Sequence, residues 1–491
     1  MNGMNHYQIK TLLLFLTVAP FFAKGQTSPL LPKKIDSLVQ RVMQERRIPG
    51  AQVAVVQRGQ LAFLQSYGIA NVGDSVPVTH QTRFAINSCT KAFTGVAIMQ
   101  LVEEGQLDLG APVSRYLDGL PAAWQPVTIR QLLTHVSGLP DMLRKVLNPS
   151  TGALMGQDDE QSAWAKVQTL PLEFPTGEQF SYNQTNYVLL GKIIDKLAAK
   201  PFARMFQEKQ FAAAGMTQTV FGDSRDVIPQ MAQQYRYVTN LDGHPLTEPR
   251  LTHFYYEFPP SRRTASGLNS TAEELARWLM ALQQNKLLTT KAALATLWTP
   301  GSYNNGAPTQ WALGWMTKPR AKHAAVYASG GGRSAFFVYP QDALAVVVLT
   351  NLAGAFPEDF IEEVAACFEP EILRSDPILA LQNQLQMRGF DQAISIVKEA
   401  QKQRLGDPLP PENDLNDWGY RLMSRGRLTE ALEIFKLTVY LYPQSWNVYD
   451  SYGEALFRSG QKEAALAMYK KSVLLNPNNR GGKAMLERLS K

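Results

Sequence analysis

The chain has 491 residues, 45% of them hydrophobic and 19% charged, with a formal net charge of +7. That is ordinary globular composition, with room for two or three domains. The positive charge is spread along the chain and no basic run is interleaved with aromatics, so nothing points to nucleic acid. Two cysteines, Cys89 and Cys367, are too few and too distant for a disulfide framework, and are expected to be free buried thiols. The six histidines are scattered without the spacing of a metal cluster, so no metal and no organic cofactor is expected.

The first element is an export signal over residues 1–25. Lys10 precedes the apolar run from Leu12 to Phe22, and Ala23-Lys24-Gly25 offers small residues to a signal peptidase. The run is shorter than the span of about 20 residues a membrane helix needs, and no cysteine follows it for acylation. The expectation is an exported protein, periplasmic or secreted, with Gln26 first and no stable membrane anchor. Pro32 to Arg47 has helical periodicity, stopped by Pro49-Gly50. Gln52–Gln57 and Leu61–Tyr67 are β-rich runs joined by Arg58-Gly59-Gln60, a hairpin signal.

Phe84 to Gly105 comes next. From Ala92 to Val102 it carries no charge and is apolar on every face, the pattern of a buried helix. At its start stands Lys91, three residues after Ser88. Positions i and i+3 share a helix face, so the hydroxyl and the amine can touch. Burying an ammonium costs several kcal/mol, so a lysine there is kept partly neutral, and the field of the helix N-terminus disfavours the ammonium further. This is the geometry of an activated nucleophile.

Val127 to Leu133 reads as a short helix ending in the turn His135–Pro140, where His135 is expected to stabilise the turn. A turn at Pro175-Thr176-Gly177 precedes Phe180–Tyr187 and a helix from Val188 to Ala199. Residues 220–262 are polar and aromatic with no clear period, and are expected to be loops covering a cleft. Thr271 to Gln284 is helical, with Thr271 as N-cap and Glu274 as its capping-box partner. Ala335–Tyr339 and Ala343–Leu349 are strands around the turn Pro340-Gln341-Asp342. Ala345 to Leu349 is apolar throughout, as for a strand covered on both faces. Strands at both ends of the unit with helices between predict an α+β fold: one antiparallel sheet made by the unit's first and last parts and flanked by helices.

Beyond about residue 370 the chain turns to helix formers. Gly426 and Gly460, Ala431 and Ala465, Phe435 and Tyr469, and Pro443 and Pro477 are each 34 apart, the tetratricopeptide period. The domains expected are 26–370, a linker or degenerate repeat over 371–412, and helical repeats over 413–491. The repeats are either a structural cap or a binding surface for a protein or peptide partner.

Three pieces stand in a telling order: Ser88-Cys89-Thr90-Lys91, Tyr182-Asn183-Gln184, and Ala328-Ser329-Gly330-Gly331-Gly332 entering an edge strand. With T-I-R-Q-L-L-T-H-V-S-G-L-P at 128–140, F-P-T-G-E-Q-F-S-Y at 174–182 and V-V-V-L-T-N at 346–351, the chain resembles the serine β-lactamase and penicillin-binding-protein superfamily. The likeness is to the branch of class C β-lactamases, DD-peptidases, D-aminopeptidases and esterases, over roughly residues 32–368. The resemblance implies that Ser88 forms an acyl-enzyme, that Lys91 takes part in removing its proton, and that Tyr182 is a second proton-transfer group, its phenolate favoured by a Lys91 cation. It implies an oxyanion hole from the backbone N–H groups of Ser88 and Gly331, with Ser329, Gly330 and Gln184 at the substrate. The substrate would be a small molecule or peptide carrying an ester or amide.

Two positions depart from the pattern. Gln184 stands where the superfamily usually has Asn, its amide one methylene further out. Ala328 stands where Lys, His or sometimes Trp is usual, and alanine can neither donate a proton nor hold a substrate carboxylate. That argues against a standard β-lactamase. Arg333 or His323 could supply a positive group from another direction; the alternative for Arg333 is an exposed arginine at the strand edge. Ala328 also leaves a competing reading, a catalytically weakened scaffold acting through its repeats. The retained Ser88, Lys91 and Tyr182 favour the exported serine hydrolase.

Overall fold

A computed structural model describes residues 30–148, 150–155, 159–403 and 409–489. The expected signal segment lies outside them. Among the described residues no helix is long and apolar enough to cross a membrane.

The apolar runs pair into one antiparallel sheet of seven strands: β1 (Gly50–Gln57), β2 (Gln60–Asn71), β3 (Val76–Pro77), β4 (Met316–Lys318), β5 (Ala325–Gly330), β6 (Ser334–Tyr339) and β7 (Leu344–Thr350). Their order across the sheet is β3-β2-β1-β7-β6-β5-β4, so the first strand lies against the last. Val55 faces Val346 and Val53 faces Val348 in that pairing. Successive side chains of a strand point to opposite faces, and both faces of β7 are covered. Ala345, Val347 and Leu349 enter the larger core, while Leu344, Val346 and Val348 enter a smaller one under helix α1 (Leu30–Arg46).

The larger core surrounds α2 (Thr90–Glu103), whose residues from Thr90 to Leu101 are all buried. Helix α3 (Gln184–Ala198) packs beside it and begins four residues earlier than the apolar run suggested. Asn183 accepts from Asn186 N–H there and starts the helix as its N-cap. Helix α4 (Ala272–Gln283) has the expected Thr271 cap, but the capping box is only half made. The Glu274 carboxylate accepts from Gln218 N–H and the Thr219 hydroxyl instead.

Residues 220–262 are not all loop. Tyr235–Leu241 and His244–His253 form a hairpin that pairs in parallel with Leu352–Ala353. Both hairpin strands are largely exposed, so no apolar alternation marks them. The strand carrying Ala328 is also not the outermost one. β4 lies outside it, but pairs only with Ala325, Val326 and Tyr327, so Ala328–Gly330 keeps an open edge.

The helical region forms its own core. It contains α5 (Pro377–Arg388), α6 (Ala393–Gln403), α7 (Glu412–Ser424), α8 (Leu428–Leu441), α9 (Trp446–Arg458), α10 (Lys462–Leu475) and α11 (Arg480–Leu489). The 34-residue spacing becomes geometry: Gly419 lies against the ring of Phe435, and Gly453 against that of Tyr469. Each glycine lets the two helices of a hairpin close on one aromatic ring. The region docks on the sheet unit through ion pairs. Asp359 pairs with Arg421 at 2.8 Å, with Arg425, and with Arg46 at 3.6 Å. Asp376 and Glu362 hold Lys318 and Arg320.

Candidate active site

Ser88 lies in a single 3-10 turn, Asn87–Cys89, that runs into α2. The i, i+3 relation therefore spans the junction, and Lys91 is wholly buried in the first turn of the α-helix. Its Nζ is 3.5 Å from Ser88 Oγ, 3.3 Å from Gln184 Oε1 and 2.8 Å from the Ala265 carbonyl oxygen. It also lies over the rings of Tyr182 (4.6 Å) and Tyr187 (5.0 Å). The longer reach of Gln184 thus still brings its amide to the amine.

Burial holds Lys91 well below the ordinary lysine range, and the nearby Arg262 charge pushes the same way while Asp141 opposes it. Burial also pushes the Tyr182 phenol well up, with Ser88 and Gln184 offsetting part of the rise. The phenolate expected beside a Lys91 cation is therefore not favoured. Desolvation disfavours the charged form of both groups, the ammonium and the phenolate alike. The Tyr182 hydroxyl is buried and has no hydrogen-bond partner of good geometry.

His135 is fully buried at a left-handed turn, φ 61°. Its Nδ1 accepts from Asn183 N–H at 3.0 Å, and its ring packs on Tyr182 at 4.6 Å. Burial pushes its pKa well down and keeps it neutral. Asp141 Oδ1 accepts from Gln184 N–H at 2.9 Å and ties the start of α3 to the turn. His135 and Asp141 thus orient the Tyr182–Gln184 segment from both sides.

The open end of β5 meets Ser88 directly. A Cβ on Gly330 would stand 2.1 Å from Ile86 O and 2.9 Å from Ser88 N, so only glycine allows this approach. Gly331 follows with φ +60° in the turn to β6. Ser329 is half-buried on β5, and Ala328 is packed into the larger core. Arg333 is not the exposed strand-edge residue of the alternative reading: it is 3% exposed. Its Nη2 donates to Asn87 Oδ1 at 2.7 Å. His323 is not in the site. It precedes β5 and pairs with Asp342, in the turn at the far end of β6 and β7.

The structure thus brings Ser88, Lys91, Tyr182, Gln184, Gly330, Gly331 and Arg333 together. It adds Asn87, Asp141, Ala265 and Arg262, which sequence reasoning did not single out. Asn87 and Asp141 adjoin quoted motifs, so adjacency was an available signal. Arg262 had none. It is 2% exposed, and its Nη2 donates to Glu257 O at 3.0 Å. Among the described residues no cluster of His, Cys, Asp and Glu has the form of a metal site.

With this geometry in place, the comparisons fit. A family profile described as Beta-lactamase matches residues 35–366. The chain is 26% identical over 352 residues to protein flp of Staphylococcus aureus, covering 68% of this chain and 65% of that protein. The chain thus spans a little under two thirds of the length of such curated relatives. A penicillin-binding protein homologue from Pyrococcus abyssi, described as octameric, superposes with a TM-score of 0.60 at 25% identity, over 72% of this chain and 81% of that one. A D-amino acid amidase from Ochrobactrum anthropi shares the fold, with a TM-score of 0.56 at 22% identity, over 69% of this chain and 99% of the amidase. A profile matching this much of the chain, over the segments that build the sheet and bring Ser88 to Lys91, establishes that the chain belongs to the beta-lactamase family.

Proposed function

We propose that the protein is an exported serine hydrolase that forms an acyl-enzyme on an ester or amide substrate. The observation that carries this is the buried Lys91 amine within 3.5 Å of Ser88 Oγ, bound to two oxygen acceptors and, among the described residues, to no carboxylate. A neutral amine has two N–H groups and one lone pair. Ala265 O and Gln184 Oε1 take the N–H groups, and the lone pair is left for the serine proton. Ser88 Oγ attacks the carbonyl carbon as its proton passes to Lys91. The oxyanion forms between the N–H groups of Ser88 and Gly331. The proton then moves by way of Tyr182 to the leaving oxygen or nitrogen, the acyl–leaving-group bond breaks, and water later releases the acyl group. The amidase fold neighbour supports an amide among the substrates.

Labelling with a fluorophosphonate probe tests the reading. Wild type is expected to form an adduct that Ser88→Ala and Lys91→Ala lose. No Ser88-dependent adduct would leave the second reading, a binding protein working through its helical repeats, which the apolar Ala328 favours. Among substrates, p-nitrophenyl esters and D-amino-acid amides are expected to turn over faster than nitrocefin. Export belongs to the same proposal, and the mature N-terminus is expected at Gln26. So does the division into a hydrolase unit over 26–370, a linking pair, and repeats over 413–491 that offer a surface to a protein or peptide. The separate cores of the sheet unit and the helical region support the boundary near residue 370, while the linking pair shares its core with the repeats.

A further inference from the structure

Arg333 is the unusual charge of this site. It is 3% exposed, and among the described residues no carboxylate pairs with it. Its Nε and Nη1 have no hydrogen-bond partner, and its guanidinium lies 4.7 Å over the Phe254 ring. Burial pushes it down only to about 10, so it is a cation at neutral pH. An unpaired buried guanidinium costs several kcal/mol, and such groups are retained where the charge has work to do. Its one side-chain hydrogen bond goes to Asn87, the residue before Ser88. Asn87 holds φ +50°, a left-handed conformation that asparagine tolerates and most side chains resist. Its Nδ2 donates to Ala85 O at 3.0 Å and reaches Gly330 O at 3.5 Å. A Cβ on Gly331 would stand 3.0 Å from Arg333 Nη2 and 3.1 Å from Asn87 Cγ. The pair therefore lies directly behind the two segments whose amides frame the oxyanion.

Resting on the hydrolase reading, we propose that Asn87 and Arg333 form a clamp behind the oxyanion site, whose buried cation stands in for the side-chain cation missing at Ala328. The unpaired nitrogens are closed off from solvent, so the guanidinium does not grip a substrate carboxylate. It acts through Gly331 and through its field, which is strong where water is excluded. A neutral carbonyl in the ground state gains little from that field, whereas the alkoxide of the tetrahedral intermediate gains much. Asn87 and Arg333 are positioning residues in this scheme, and their signature is a loss of kcat rather than a rise of KM.

The test uses the full chain and a p-nitrophenyl ester, with rates normalised to the serines titrated by fluorophosphonate. Arg333→Met is expected to lower kcat about 10- to 100-fold with KM changed less than about threefold. The affinity of an alkyl boronic acid, which binds as a tetrahedral anion, should fall in proportion to kcat/KM. Arg333→Lys should retain most of the activity. Should Arg333→Met not fold, Asn87→Asp supplies the same test, because it sets a carboxylate against the guanidinium and neutralises it in place. A variant with unchanged kcat per titrated site, or with a raised KM and intact kcat, overturns the clamp and leaves the hydrolase standing. An absence of Ser88 labelling in the wild type removes both.

Discussion

The amine of Lys91 lies closer to the backbone carbonyl of Ala265, at 2.8 Å, than to the Ser88 hydroxyl, at 3.5 Å. That carbonyl belongs to the turn held by the bond from Ala265 N–H to Arg262 O. The turn that anchors Lys91 thus also carries a cation that adds to the effect of burial in pushing the Lys91 pKa down.

The pH dependence follows from this arrangement. In the proposed mechanism acylation needs neutral Lys91, so the rate is expected to fall as pH drops through its lowered pKa. Arg262→Met removes a neighbouring cation, lets that pKa rise, and is expected to move the acid limb up by about one unit. Asp141→Asn removes an anion and is expected to move it down. The pH profile of Ser88 phosphonylation checks both signs, and a shift in the same direction for the two variants would contradict the assignment.

Lys91 also imposes a folding cost. Its folded pKa lies below its unfolded value, so folding releases a proton, and the cost shrinks as pH rises toward the ordinary lysine range. Lys91→Met is expected to abolish acylation yet stabilise the fold by about 1–3 kcal/mol at neutral pH. Thermal unfolding at pH 6 and pH 10 checks it, with the larger gain at pH 6.

Gly330→Ala tests how closely β5 approaches Ser88. The added methyl meets Ile86 O at 2.1 Å and Ser88 N at 2.9 Å, both backbone atoms that cannot swing aside. The strand end must move away from Ser88. The expected result is a loss of about 100-fold or more in acylation rate and about 1–3 kcal/mol in stability. The rate loss is read from probe labelling and the stability loss from thermal unfolding.

At the seam with the helical region, Asp359 faces Arg46, Arg421 and Arg425. Asp359→Ala leaves three arginines without that partner and is expected to loosen docking by about 2–4 kcal/mol, somewhat below the cost of breaking a fully buried pair because the arginines keep some solvent. Calorimetry should show the helical region unfolding earlier and apart from the sheet unit. Asp359→Glu should preserve most of the docking.

What the sequence reveals is what burial makes periodic. β7 is legible because both of its faces are covered, α2 because every face is, and the helical hairpins because Gly419 and Gly453 repeat one packing solution. The hairpin at 235–253 escapes detection because most of its side chains meet water. β4, three residues long, is too short to carry a pattern. In the site, Ser88, Lys91 and Tyr182 are legible as a motif set. Arg262 and Arg333 are single arginines whose burial depends on aromatic rings from residues 254–258, far from either in pattern. The resting charge of Tyr182 is equally unreadable, since it depends on how much water the fold excludes.

The pairing of β1 with β7 also makes the sheet depend on both ends of the unit. Gly50 N–H finds its partner, Asn351 Oδ1, 301 residues later. Until Leu344–Thr350 emerges, the first hairpin has one unmatched edge, and α2, greasy on every side, has no completed sheet to rest on. A chain cut short before Leu344 would possess Ser88, Lys91 and Tyr182 and still lack the central strand that joins β1 to the β6–β5 edge beside Ser88. The surroundings of Ser88 are therefore complete only when the sheet's last strand in sequence is paired with its first.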